Sequence, residues 1–140
     1  MTRSEAALHY FDSGCDCGKA LLRAYEPVLT LDHATRAHYR APCAQLPGSP
    51  SKQCGVVNGS LEVLSHIRDP DLAAKFKARF MTIHPDLECK KLLGYDLTEL
   101  ADYSKAIDTD AVDHVCRELV LQACAILDEL MGEVQAPASE

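Results

Sequence analysis

The chain has 140 residues, of which 47% are hydrophobic and 25% charged, and a formal net charge of −7. A chain of this size can bury roughly 68–70% of its unfolded surface in one core without covalent staples, and its acidic balance argues against a nucleic-acid surface, which needs clustered Lys and Arg. No run approaches the roughly 18 apolar residues of a membrane span. The opening Met1-Thr2-Arg3-Ser4-Glu5 leads into no apolar signal segment, so membrane insertion is not expected and a cytoplasmic, thiol-reducing compartment is the expected address.

Helical periodicity dominates and strand-like alternation is nearly absent. Ser4 is the expected cap of a first helix carrying Ala7, Tyr10 and Phe11, which Gly14 ends. A second helix follows Cys15-Asp16-Cys17, runs through Ala20, Leu21, Ala24 and Tyr25, and is broken by Pro27. Asp32 caps a third, through Ala34 to Tyr39. The stretch from Ala41 to Gln53, rich in Pro and Ser, reads as a loop. A fourth helix begins at Cys54 or Gly55, with Val56, Ser60, Val63, Leu64 and Ile67 on one face. Asp69-Pro70 starts a fifth, whose core stripe is Leu72, Phe76, Phe80 and Ile83, and Pro85 closes it. Lys75, Lys77 and Arg79 form its solvated face. A turn through Leu87, Leu92 and Leu93 ends at Gly94. Asp108 or Thr109 caps the last helix, which carries Val112, Cys116, Leu119, Ala123, Ile126 and Leu130 and stops at Gly132. The expectation is an all-α, single compact domain of five to seven helices over 1–134, with a disordered tail at 135–140.

Seven cysteines are the most informative feature, and their odd count leaves one outside any full disulfide framework. The spacings match no zinc finger and no thioredoxin box. Cys17 and Cys54 fall at expected helix starts, where unpaired N–H groups and the positive dipole end favour a thiolate. The thiolate is the form that binds metals and attacks disulfides. Cys116 lies on the apolar face of the last helix, where its simplest role is that of a small buried hydrophobe. Gly55 and Gly59 are four apart and share one helical face. Glycine inside a helix costs about 0.5–1 kcal/mol against alanine, which points to a close approach there by another helix or by a cofactor. The six histidines form no metal-binding pattern and read as surface or capping residues, and no phosphate-binding glycine motif is present.

Cys17 followed by Ala20-Leu21-Leu22, then Cys54-Gly55-x-x-x-Gly59, then Cys89-Lys90-Lys91-Leu92-Leu93-Gly94-Tyr95-Asp96-Leu97, then Cys116 in the last helix, resembles the C-GCAxxG-C-C family of small redox-active proteins. The likeness spans most of the chain, and the Cys89 segment carries it best. Val56 stands where the family has Ala, and the segment before Cys54 is poorer in glycine than the family's. A related domain holds a [2Fe–2S] cluster on four cysteines. The resemblance therefore implies Cys17, Cys54, Cys89 and Cys116 as metal ligands, with Gly55 and Gly59 beside the cofactor. Cys15, Cys43 and Cys124 have no place in that pattern; Cys15 is a candidate to assist Cys17, Cys43 a loop thiol, and Cys124 a core residue.

The leading functional expectation is thus a small redox protein passing electrons through a cysteine-ligated iron–sulfur cluster. The alternatives are a cofactor-free thiol–disulfide protein, a structural zinc domain, and a helical binding module whose cysteines are core. An unidentified redox protein is the expected partner, and the acidic charge suits a basic one.

Overall fold

Apolar residues at helical spacing, punctuated by capping side chains and glycine, give seven α-helices and no strand among the described residues. The computed structural model describes residues 2–41, 55–84, 99–109 and 112–135. The expected loop after Ala41, the turn from Leu87 to Gly94 and the tail beyond Gln135 lie outside them.

Helix α1 (Arg3–Asp12) is capped by Thr2, whose hydroxyl accepts from the Glu5 N–H, so the cap falls two residues before the expected Ser4. Gly14, at φ 107°, turns the chain after it, in the left-handed region that glycine adopts at no steric cost. Helix α2 (Cys17–Tyr25) is capped by Asp16 and gives way at Glu26–Val28 to a 3₁₀ turn containing Pro27. Helix α3 (His33–Arg40) is capped by Asp32, which accepts from the Thr35 N–H at 2.7 Å. These three boundaries match the sequence expectation.

Helix α4 (Gly55–Ser65) buries Val56, Val57, Gly59, Ser60, Val63 and Leu64. Its Ser60 hydroxyl is satisfied by the Val56 carbonyl one turn back, at 2.7 Å. Helix α5 (Leu72–Ile83) starts two residues later than Pro70, because Asp69 accepts from the Asp71 N–H and spends its carboxylate on the turn. Leu72, Phe76 and Phe80 are buried as expected, but Ile83 is 48% exposed. The stripe ends with the helix's last turn. Arg79, read as part of a solvated face, instead ties α5 to the last helix through Glu129 and Glu133.

Two departures concern the C-terminal third. Residues Leu100–Asp108 form a helix of their own, α6, so Asp108 closes one helix instead of capping the next. The chain then enters the last helix through a π-helical turn, Val112–Cys116, and continues as α7 (Arg117–Gln135). Gly132 does not stop α7. It sits inside the helix with open space where a side chain would be.

The buried residues form one hydrophobic core to which α1, α2, α4, α5 and α7 contribute. Helix α2 lies between α1 and α4, while α7 packs on α1, α4 and α5. Tyr25 is fully buried, and its hydroxyl donates to Asp128 at 2.6 Å, fastening α2 to α7. Glu26 is 3% exposed and is paired with Arg36 and Arg40 of α3. Burial pushes its carboxyl up, but the hydrogen bonds from Arg40 and Arg36 outweigh that and hold it below the usual range. No helix among the described residues is long and apolar enough to cross a membrane.

Candidate functional site

The site begins where α2 and α4 cross. An ideal Cβ built on Gly59 would lie 2.8 Å from the Gly18 Cα and 2.8 Å from the Gly18 carbonyl oxygen. One built on Gly18 would lie 2.9 Å from the Gly55 carbonyl oxygen. Real Cβ contacts essentially never come this close, so the two backbones touch only because glycine stands on both sides. The close approach inferred from Gly55 and Gly59 is therefore made, at Gly59, by another helix. Gly18, the third member of the crossing, was not singled out in the sequence, although a glycine in the first turn of a helix is a visible cost.

At the end of this crossing stands Cys17. A Cβ on Gly55 would meet the Cys17 Sγ at 2.9 Å, so the sulfur rests against the bare α-carbon of α4. Cys116, the last residue of the π-helical turn, neighbours the Cys17 thiol. Both thiols are free. Cys116 is buried and Cys17 partly so. Two of the four cysteines implied by the resemblance, distant in sequence, are thus neighbours. The other two, Cys54 and Cys89, lie outside the described residues, as does Cys43. Gly55 follows Cys54 directly in the chain and stands against the Cys17 sulfur.

The helix start does not make Cys17 a ready thiolate. The neighbouring Cys116 side chain holds the Cys17 thiol well above the ordinary thiol range, and burial and the Asp16 charge push the same way. The Gly18 N–H alone pulls it down. A helix terminus carries roughly half a charge, and here the Asp16 carboxylate, which accepts from the Lys19 N–H at 2.8 Å, already occupies that end. The expected thiolate stabilisation at Cys17 is therefore overridden.

The remaining sulfurs divide cleanly. Cys124 is fully buried in the core, as its position predicted, and burial raises its thiol to about 11. Cys15 is buried and disulfide-bonded. Nothing in the spacing of Cys15-Asp16-Cys17 marked which of its two thiols would be oxidised.

Histidines read as surface groups include two that are partly buried. His66 Nε2 meets the Tyr39 hydroxyl at 2.8 Å, and that hydroxyl donates to Glu62. His84 bonds Gln122. Among the described residues no three His, Cys, Asp or Glu side chains form a group able to hold a metal. The described donors at the site are two soft sulfurs, a chemistry that suits iron–sulfur ligation or a disulfide equally. No family model, curated protein or solved structure matches this chain.

Proposed function

We propose that this is a small cysteine-based redox protein in which Cys17 and Cys116 are the working pair. What supports the reading is that two free thiols are neighbours, one from a helix start and one from a π-helical turn, with the α4 backbone packed against the first. π-Helical turns are rare and are found disproportionately at functional sites. The reaction is a thiol–disulfide exchange with a partner disulfide. One cysteine thiolate attacks a partner sulfur, the second resolves the mixed disulfide, and the Cys17–Cys116 S–S bond forms. Two thiol protons and two electrons leave this protein, and the partner's disulfide becomes two thiols. A protein partner with a basic face suits the net charge of −7. A cytoplasmic, thiol-reducing compartment belongs to the same proposal. Disulfides there are mostly catalytic or sensing, which makes the Cys15 bond a candidate for cycling as well.

A second reading keeps the resemblance in full, with Cys17, Cys54, Cys89 and Cys116 holding a [2Fe–2S] cluster. Cys17 and Cys116 supply two adjacent soft donors, which is what favours it. Such a group, when bound, supplies one-electron transfer.

Incubation with oxidised glutathione, followed by acid quench and peptide mapping, tests the first reading. A Cys17–Cys116 disulfide is expected, lost in Cys17→Ser and Cys116→Ser and kept in Cys124→Ser. Its absence under all oxidant ratios sinks the dithiol mechanism. Anaerobic reconstitution tests the second: bound iron and sulfide, depleted by serine at each of the four cysteines, would put the cluster in its place.

A further inference from the structure

We infer that Gly55 is the positioning residue of the Cys17–Cys116 pair: its missing side chain is the space that lets the Cys17 sulfur lie against Cys116. The inference rests on the dithiol reading and adds to it a residue that touches no substrate.

Cys17 Sγ is confined from three sides. Its own backbone is fixed by the Asp16 cap and by the Gly18–Gly59 contact, where backbone meets backbone and neither can yield. Cys116 faces it from the π-helical turn. The third wall is the α-carbon of Gly55, where a methyl would stand 2.9 Å from the sulfur. Sulfur is larger than carbon, so this overlap is severe. It can be relieved most cheaply by turning the Cys17 side chain, because a thiol is one flexible atom while the helix crossing is rigid. Turning it changes where the sulfur lies relative to Cys116. Gly59 differs: its neighbours are backbone atoms of Gly18, so a methyl there strains the crossing as a whole. The two glycines therefore do separate jobs within one helical face, and only Gly55 acts on the thiol directly.

Forming the Cys17–Cys116 bond breaks two S–H bonds, makes one S–S bond and sends two electrons and two protons to the oxidant. With oxidised glutathione as the probe, that oxidant becomes two glutathione thiols. Closure of the bond from the mixed disulfide is intramolecular, and a misplacement of roughly 1 Å costs on the order of 100-fold in such steps. In Gly55→Ala the rate of Cys17–Cys116 disulfide formation should fall by about 10- to 100-fold. The comparison variant is Val63→Ala, in the same helix but in the core, where a lost contact destabilises without touching the pair. Its rate should stay within about threefold of the parent at matched temperature below both melting midpoints. Equal rates in the parent and Gly55→Ala, or equal losses in both variants, would overturn the inference.

Thermal unfolding supplies a readout that needs no redox activity. Cys17→Ala removes the atom that the new methyl strikes, so the double variant Gly55→Ala/Cys17→Ala should recover the stability that Gly55→Ala loses. Simple additivity of the two changes would refute the contact. A parent protein that never forms the Cys17–Cys116 bond would instead sink the dithiol reading, with the double-variant cycle still deciding whether Gly55 seats the sulfur.

Discussion

Replacing Gly59 by alanine would put a methyl carbon 2.8 Å from both the Cα and the carbonyl oxygen of Gly18. Both obstacles are backbone, so no side-chain rotation relieves the overlap and α2 must move off α4. Overpacking of a well-packed interior typically costs about 1–3 kcal/mol, while alanine in a helix gains about 0.5–1 kcal/mol over glycine. The midpoints of the two ranges leave a net loss of ~1 kcal/mol. Gly132 provides the opposite case in the same molecule. It lies inside α7, is exposed, and has nothing within 4 Å of its would-be Cβ. Gly132→Ala should therefore gain ~0.5–1 kcal/mol from propensity and a stiffer unfolded chain. Urea titrations followed by far-ultraviolet circular dichroism measure both. Similar m-values with midpoints moved in opposite directions are expected. If Gly59→Ala were neutral or stabilising, the backbone contact at the helix crossing would not exist, and the explanation given for its glycines would fail.

Two further outcomes follow from the buried ionisable groups. Glu26→Gln removes the carboxylate that Arg36 and Arg40 share in a nearly closed site, and should cost ~1–3 kcal/mol at neutral pH. The folded carboxyl titrates below its unfolded value, so its stabilisation is present above the unfolded value and is lost as pH falls through the folded one. Acid unfolding curves of Glu26→Gln should therefore lack part of the parent's slope below about pH 4.5, and an unchanged slope would contradict the pairing. Cys124 has the opposite sign. Its thiol is raised to about 11, so the stability that it contributes is complete below the unfolded thiol value and is lost as pH rises towards 11. Stability of the parent should fall by up to ~2–3 kcal/mol over that range, with a shallower fall in Cys124→Ala; identical alkaline slopes would exclude a buried, protonated Cys124.

Much of this architecture was legible because local chemistry and packing agree. Asp32 caps the helix it announces, and Pro27 breaks the second helix where expected. Leu72, Phe76 and Phe80 recur at helical spacing and are buried. The failures occur where a local signal competes with something distant. Gly132 reads as a stop, yet α7 passes through it, and just beyond it Glu133 is tied to Arg79 of α5. Asp108 resembles a cap yet ends α6, and the turn into α7 is π-helical, a geometry without a residue signature. At the site, no periodicity links Cys17, at a helix start, to Cys116 so far along the chain. The Cys15 disulfide and the role of Gly18 carried weaker signals still. Cys54 and Cys89 lie outside the described residues, so only half of the implied cysteine set is located.

The contest at Cys17 has a measurable consequence. A helix start favours a thiolate, but its field is screened within a turn and here meets the Asp16 carboxylate; the neighbouring Cys116 side chain and burial outweigh it. The reduced pair then holds Cys17 as a thiol and not as a thiolate. Oxidising it releases two protons along with two electrons. For a two-electron couple a tenfold change in equilibrium constant is about 30 mV, so two protons give a midpoint potential that falls by about 59 mV per pH unit through the neutral range. A pair activated as a thiolate would release one proton and show about half that slope. Equilibration with glutathione redox buffers between pH 6 and pH 8 on the order of one-unit steps, quenched and mapped for the Cys17–Cys116 bond, distinguishes the two. The shallower slope would mean that the helix terminus prevails after all, and that the Cys116 neighbour does not set the state of Cys17.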